Sequence, residues 1–138
     1  MAILKVGGKT LTLDRSGFEY PTEVVEDVPL GIGPATFEFF ELGRDGEPWT
    51  NGQLLLARAR NLKTLAGERH AQLFLAHQER IPEEERGHFL VFSGTKRRNH
   101  EGKLEMPYLA WCGGKWNLYW ALIGEEWNAL ARFVRIRE

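Results

Sequence analysis

The chain has 138 residues, of which 43% are hydrophobic and 27% charged, and its formal net charge is −1. These proportions are typical of a globular domain and argue against a disordered or fibrous chain. A near-neutral charge also disfavours a protein built mainly to hold a phosphate backbone, so we do not expect nucleic acid to be the main partner. The single cysteine, Cys112, excludes an internal disulfide bond.

The sequence carries no sign of a membrane or export segment. No stretch is apolar over the length that a membrane helix needs, and residues 1–7 lack the basic start and apolar run of a signal peptide. We therefore expect a cytoplasmic protein with no membrane partner. No linker divides the chain, so we predict one domain over residues 1–138. It would consist of a hairpin and an irregular segment over residues 1–35, followed by a strand, two helices and a meander over residues 36–138.

The N-terminal part of the sequence predicts β structure. Residues 2–6 and 9–13 flank Gly7-Gly8, a two-residue loop that suits the turn of a β-hairpin. Prolines and glycines interrupt regular structure over residues 14–35. Residues 36–42 contain three phenylalanines and predict the next strand.

Two helices are predicted in the middle of the chain. Thr50, with Gln53 three residues later, forms the pattern of a capping box, and apolar residues recur at helical spacing after it. Gly67 either ends the first helix or weakens it, and Pro82 stops the second helical stretch. The charged run EEERG at residues 83–87 then predicts a solvated link.

The last part of the chain predicts four antiparallel strands in a meander. They cover residues 88–93, 104–112, 115–123 and 129–137. Gly113-Gly114 predicts a tight hairpin in which Trp111 lies opposite Trp116 and Tyr108 opposite Tyr119. Because side chains alternate along a strand, one face of this hairpin carries leucine and tryptophan, and the other carries tyrosine and asparagine.

The predicted fold class is α+β, with two helices packed on one face of a mainly antiparallel sheet. The helices would bury the leucine and tryptophan face and leave the opposite face partly exposed. Exposed aromatic, asparagine and arginine side chains are typical of recognition surfaces. The candidate binding residues are Tyr108, Asn117, Tyr119, Trp127, Asn128 and Arg132. The alternative is that both faces are packed, by the N-terminal hairpin or by a second subunit.

A short basic run, Lys96-Arg97-Arg98, lies between two predicted strands. Three consecutive cations at a loop tip would seat a phosphate or a nucleic-acid backbone weakly, which makes Arg97 and Arg98 further binding candidates. The simpler interpretation is a solvated hairpin loop, which we favour.

The sequence gives little indication of catalysis. It contains no nucleophile motif, no chelating histidine pair and no glycine fingerprint for phosphate, so no metal or cofactor is predicted. Glu125 and Glu126, together with His100 and Glu101 of the neighbouring loop, would allow acid–base chemistry in a small hydrolase-like enzyme. That enzyme is the alternative to a binding protein.

The C-terminal part contains WCGGKWNLYW at residues 111–120, then Trp127-Asn128 and RFVR at residues 132–135. With the order strand, helix, helix and meander, it resembles small bacterial proteins of the C-type-lectin-like type, some of them similar to the variable proteins of diversity-generating retroelements. The resemblance covers residues 36–137 in the order of helices and strands, and only the last thirty residues in the amino acids themselves. It implies binding without catalysis, centred on Asn117, Tyr119, Trp127, Asn128 and Arg132. Paired cysteines and a Glu-Pro-Asn run are absent from the sequence, so calcium-dependent sugar binding is not implied.

The sequence therefore predicts a non-enzymatic binding module for an unknown protein or small ligand. Alternatively, the tyrosine and asparagine face is covered by a second copy of the chain in a homodimer. Ligand binding and dimer formation are thus both open to this face.

Overall fold

The computed structural model describes residues 10–19, 26–42, 49–62, 65–128 and 130–137. Its strands are β1 (Leu11–Asp14), β2 (Pro34–Glu41), β3 (Trp49–Asn51), β4 (Phe89–Val91), β5 (Arg97–Arg98), β6 (Leu104–Cys112), β7 (Lys115–Leu122), β8 (Glu126–Asn128) and β9 (Ala131–Arg137). Its α-helices are α1 (Gly52–Ala59) and α2 (Glu68–Ala76), and short 3-10 helices cover Arg60–Leu62, Gln78–Arg80 and Glu83–Gly87. The predicted turn at Gly7-Gly8 lies outside the described residues.

Seven strands form one sheet, and β3 and β8 form a second, two-stranded sheet. In the large sheet β1 pairs with β2, β2 with β9, β9 with β4, and β4 with β6. Because β7 pairs with one edge of β6 along its length, β4 and β5 share the other edge. The neighbours β4 and β9 are parallel and the remaining pairs are antiparallel. The predicted α+β class, with two helices and a mainly antiparallel sheet, is confirmed.

The C-terminal strands are present as predicted, but the last one has a different neighbour from that of a simple meander. The hairpin of β6 and β7 has the predicted register, with Tyr108 opposite Tyr119 and Trp111 opposite Trp116. Strand β9 does not follow beside β7 but returns between β2 and β4. Its residues Phe133 and Val134 are both fully buried although they point to opposite faces. A strand that is apolar on both sides belongs in the middle of a sheet.

The two helices lie on opposite faces of the large sheet, whereas the sequence predicted both on one face. Consecutive residues of β2 explain the difference, because Phe39 and Phe40 are both buried and side chains alternate along a strand. Each face is therefore apolar and needs its own cover. We call the two sides the α2 face and the α1 face after the helix that packs on each.

The core of the α2 face is built around Phe74 of α2. Its ring lies edge-on to Phe37 at 5.0 Å between centroids, to Phe92 at 5.1 Å and to Phe39 at 6.3 Å. All four side chains are fully buried. The core also contains Leu90, Leu109, Trp116 and Val134.

The core of the α1 face is a separate cluster. It contains Phe40, Leu55, Leu56, Val91, Met106, Ile123, Trp127 and Phe133. Tyr108 and Ala121 pack against this cluster and are only partly buried. The hydrophobic contacts of the α1 face thus extend from α1 to the two-stranded sheet.

The helix boundaries differ in detail from those predicted. The N-cap of α1 is Asn51 and not Thr50, because the Oδ1 atom of Asn51 accepts the backbone N–H of Gln53 at 2.7 Å. Thr50 instead lies in β3. Gly67 marks the start of α2, where its N–H donates to Nδ1 of His70. None of the described helices is long and apolar enough to cross a membrane.

Candidate functional site

A pocket of about 150 Å³ opens on the α1 face, where the two-stranded sheet meets β4, β6 and β7. The described residues that line it are Trp49, Phe89, Tyr108, Ala121, Glu125, Glu126, Trp127 and Asn128. They bring together four aromatic rings, two carboxyl groups and one amide. No side chain in this described lining carries a positive charge.

Tyr108 is the centre of the aromatic contacts in the pocket. Its ring lies edge-on to Phe89 and to Trp127, each at 5.7 Å between centroids. On its other side it stacks on Tyr119 at 5.5 Å with an interplanar angle of 29°. Edge-to-face and stacked contacts of this kind hold rings in defined orientations, so the wall made by Tyr108 is set before any ligand arrives.

The two-stranded sheet supplies the two tryptophans of the pocket. In its antiparallel register Trp49 pairs with Asn128, and Thr50 pairs with Trp127. The side chain of Trp127 is only 7% exposed, whereas that of Trp49 is 58% exposed. Trp127 therefore forms an inner wall, and Trp49 lies at the exposed rim of the pocket.

The start of α1 fixes the loop that carries the carboxylates. The N–H of Gly52 donates to the carbonyl oxygen of Glu125 at 2.8 Å, and Nδ2 of Asn51 donates to the carbonyl oxygen of Gly124 at 3.2 Å. Gly52 lies so close to this loop that a Cβ atom there would collide with the carbonyl oxygen of Ile123. A glycine at this position lets the helix start dock against the loop.

The polar groups around the pocket make its surface negative and aromatic. Glu125 and Glu126 are exposed. Burial, with smaller contributions from Tyr119 and Glu125, raises the pKa of the Tyr108 hydroxyl, so this group stays neutral at physiological pH. The Nε1 atom of Trp127 lies beside Gly52 and has no hydrogen-bond partner among the described residues. Trp127 thus offers the pocket its ring and not a donor that is aimed at a ligand.

Three of the predicted binding residues line the pocket, namely Tyr108, Trp127 and Asn128. Tyr119 does not line the pocket but stacks on Tyr108, and it is 39% exposed. Asn117 has another role, because its Nδ2 donates to the carbonyl oxygens of Cys112 and Lys115 and braces the β6–β7 turn.

Arg132 lies on the opposite face of the sheet from the pocket. It pairs in register with Leu90, whose side chain belongs to the core of the α2 face. Its Nη1 atom contacts both carboxylate oxygens of Glu85 at 2.6 and 2.8 Å, and its Nη2 contacts Glu41 at 3.2 Å. Glu85 is fully buried, so the segment predicted as a solvated link contains a buried ion pair. The sheet itself therefore separates the side chain of Arg132 from the aromatic residues of the pocket.

The basic run is largely neutralised by carboxylates. Lys96 is buried and its Nζ lies 2.9 Å from Glu26. Arg97 contacts Glu105 at 2.9 Å and lies over the ring of Trp120 at 4.0 Å. Arg98 is exposed and donates to the carbonyl oxygen of Gly102. Two of the three cations in this run are therefore paired within the chain.

The residues of the alternative catalytic site are only partly brought together. Glu125 and Glu126 line the pocket, whereas His100 and Glu101 are not among its described lining residues. The side chain of His100 is 91% exposed and its Nε2 lies 3.9 Å from Glu101. In the part of the chain that the structure describes, no group of three or more His, Cys, Asp or Glu side chains could hold a metal ion.

Three pocket residues were not identified from the sequence, namely Trp49, Phe89 and Ala121. Ala121 shares the predicted tyrosine and asparagine face, so its position could have been read from alternation along β7. Phe89 and Trp49 depend on the pairing of strands that are distant in sequence, and no local turn signals that pairing. Comparison of the chain with protein-family models, with curated proteins and with solved structures finds no match, so the resemblance to lectin-like proteins stays a prediction.

Proposed function

We propose that the protein is a non-enzymatic binding module whose binding site is the pocket on the α1 face. The observation that supports this most directly is that four aromatic side chains, carried by the separate strands β3, β4, β6 and β8, converge on one opening. Aromatic walls with a few polar groups are typical of ligand sites. Because the rings stand on paired strands, the site is largely formed before binding, which reduces the entropy lost on association.

The size of the pocket limits what it can take. Pockets for drug-sized molecules usually measure roughly 300–1,000 Å³, whereas this one measures about 150 Å³. A cavity of that size holds a group about as large as benzene. We therefore propose that the site binds a small ligand, or one terminal group of a larger ligand whose remainder stays in solvent beside Trp49.

The chemistry of the lining favours binding over catalysis. Its described residues include no serine, threonine, cysteine, lysine or histidine. Glu125 and Glu126 are both exposed, whereas a catalytic carboxylate pair needs two different environments, one of them shielded from water. For this reason we place the hydrolase-like alternative second.

The proposal is tested by nuclear magnetic resonance with a library of small fragments. The chain has five tryptophans, each with its own indole N–H signal. We expect binders to shift the signals of Trp49 and Trp127, while the other three tryptophans serve as internal controls. In an Ala121→Leu variant, whose larger side chain fills the pocket, these shifts should disappear.

A matched control is Ala57→Leu, which makes the same change at an exposed position of α1. It should bind as the wild type does. If no fragment shifts Trp49 or Trp127, or if Ala121→Leu leaves the shifts unchanged, the pocket is not the binding site.

The partner, the oligomeric state and the compartment stay predictions from the sequence. The half-exposed Tyr119, next to the pocket, is the residue whose burial in a homodimer would be easiest to detect. A protein partner and a free small molecule remain two sources of the group that the pocket would hold.

A further inference from the structure

We propose that the group bound by the pocket is a methylated ammonium cation, as found in quaternary ammonium compounds and in methylated lysine side chains. This inference rests on the proposed function and names its ligand class. It is carried by three features of the lining: the aromatic rings, the sign of the charge and the largely apolar walls.

The first feature is the set of rings. The faces of tryptophan, tyrosine and phenylalanine carry negative charge density and attract cations within about 6 Å of the ring centroid. Two tryptophans, which attract cations most strongly, stand with Tyr108 and Phe89 around the same opening. Because Nε1 of Trp127 lies beside Gly52, this residue acts through its ring surface.

The second feature is charge. The described lining carries Glu125 and Glu126 and no cation, and the Tyr108 hydroxyl is neutral at physiological pH. An anionic ligand would meet repulsion from both carboxylates, whereas a cation is attracted by the carboxylates and the rings together. Both carboxylates are exposed, so their contribution should be modest and should weaken as salt is added.

The third feature distinguishes a methylated ammonium from a primary one. A primary ammonium has three N–H donors, and each of them needs an acceptor when it leaves water. The walls of the pocket offer mainly carbon surface, and Oδ1 of Asn128 already accepts the N–H of Leu130 at 2.9 Å. The acceptors that are left, the carboxylates of Glu125 and Glu126, are exposed to solvent and do not lie among the apolar walls. Methyl groups remove the donors and match the apolar rings, while the positive charge is kept.

The direct test compares three ligands that share a hydroxyethyl group by nuclear magnetic resonance titration of the Trp49 and Trp127 signals. Choline has a trimethylammonium group, 3,3-dimethylbutan-1-ol is its neutral isostere, and ethanolamine is the unmethylated amine. We expect choline to bind at least about tenfold more tightly than either of the others. The neutral isostere loses the attraction between cation and rings, and the binding of ethanolamine is opposed by the cost of removing its ammonium group from water.

Variants separate the two contributions to binding. Trp49→Ala, at a site exposed enough to tolerate the change, should weaken choline binding about tenfold, whereas Trp120→Ala, on the opposite face of the sheet, should not. The double variant Glu125→Gln with Glu126→Gln should weaken it about threefold and reduce its dependence on salt. Glu101→Gln, at an exposed carboxylate outside the pocket, is the matched control.

The source of the cation is decided by a further comparison, between choline and a short peptide that contains trimethyllysine. Tighter binding of the peptide assigns the pocket to a protein partner, and tighter binding of choline assigns it to a free small molecule; both agree with the proposal. Equal binding of choline and its neutral isostere at the pocket would overturn the ligand class but leave the binding module intact. Absence of binding by these compounds and by every fragment would overturn both.

Discussion

Two aromatic clusters of similar geometry lie on opposite faces of the same sheet. Phe74 on the α2 face and Tyr108 on the α1 face each contact three other rings, mostly edge-on and at 5.0–6.3 Å between centroids. The Phe74 cluster is fully buried, whereas Tyr108, Phe89 and Tyr119 are partly exposed.

The polar neighbours of the two clusters differ in the same way. On the α2 face, His70 lies edge-on to Phe37, and both of its ring nitrogens have backbone partners, the N–H of Gly67 and the carbonyl oxygen of Leu30. On the α1 face, the pocket carboxylates Glu125 and Glu126 are exposed. Ring geometry alone therefore does not separate a core from a site, and the difference lies in exposure and in whether the neighbouring polar groups are already paired.

The largest test of this comparison is the replacement of Phe74. A fully buried ring that contacts three others should cost about 3–5 kcal/mol of unfolding free energy when it becomes alanine, and alanine keeps the helix propensity of α2. Urea unfolding measures this loss. Tyr108→Ala is the companion variant and should cost clearly less, because the Tyr108 ring is only partly buried and loses less apolar contact on truncation. Similar losses in the two variants would contradict the division into a core and a site.

The second test uses the pH dependence of stability. Burial, in spite of the bond to Leu30, lowers the pKa of His70 from 6.5 to about 4. Between pH 6.5 and 4, His70 is therefore protonated in the unfolded chain and neutral in the folded protein. The free energy of unfolding should fall by up to about 3 kcal/mol as the pH decreases from 6.5 to 4.

The control for this measurement is His70→Gln, which lacks the titrating group. Glu68, whose pKa is raised mainly by burial, acts in the opposite direction and is present in both proteins, so it cancels in their difference. Parallel pH profiles for the wild type and the variant would show that His70 is not held neutral by the α2 face.

The smallest expected effect comes from Gly52→Ala, which tests how the α1 face keeps its pocket in shape. The added methyl group would collide with the carbonyl oxygen of Ile123, and overpacking of this kind costs about 1–3 kcal/mol. The carboxylate loop would move, so ligand binding should fall more than stability does. Gly87→Ala, where a Cβ atom meets no other residue, is the control. Unchanged binding in Gly52→Ala would show that this close contact does not position the loop.

Local patterns in the sequence were enough to predict the α+β class and the hairpin register. Gly113-Gly114 determines which residues of β6 and β7 face each other, because a two-residue turn leaves no freedom in register. The place of β9 could not be predicted in the same way, since its neighbours β2 and β4 are reached through long connections. Consecutive apolar residues such as Phe39 and Phe40 do indicate a strand that is covered on both faces.

The site was predicted in part for the same physical reason. Tyr108 lies in the hairpin and Trp127 and Asn128 follow it, so they were found together. Trp49 joins them only through the pairing of β3 with β8, and no local pattern in the sequence predicts that pairing. Arg132 does not join them, because it lies on the same face of β9 as Val134, which belongs to the core of the α2 face.

The hydrogen bond between Asn51 and Gly124 joins residues 73 apart in the chain, and this has a kinetic consequence. Contacts that close such a long loop are slow to form, because the loop entropy is lost before the contact stabilises anything. We expect β3 and β8 to pair after the hairpin of β6 and β7, which closes over two residues. The transition state for folding would then lack the pocket and would not bind a ligand. A ligand that binds the folded protein would therefore slow unfolding and leave the folding rate almost unchanged.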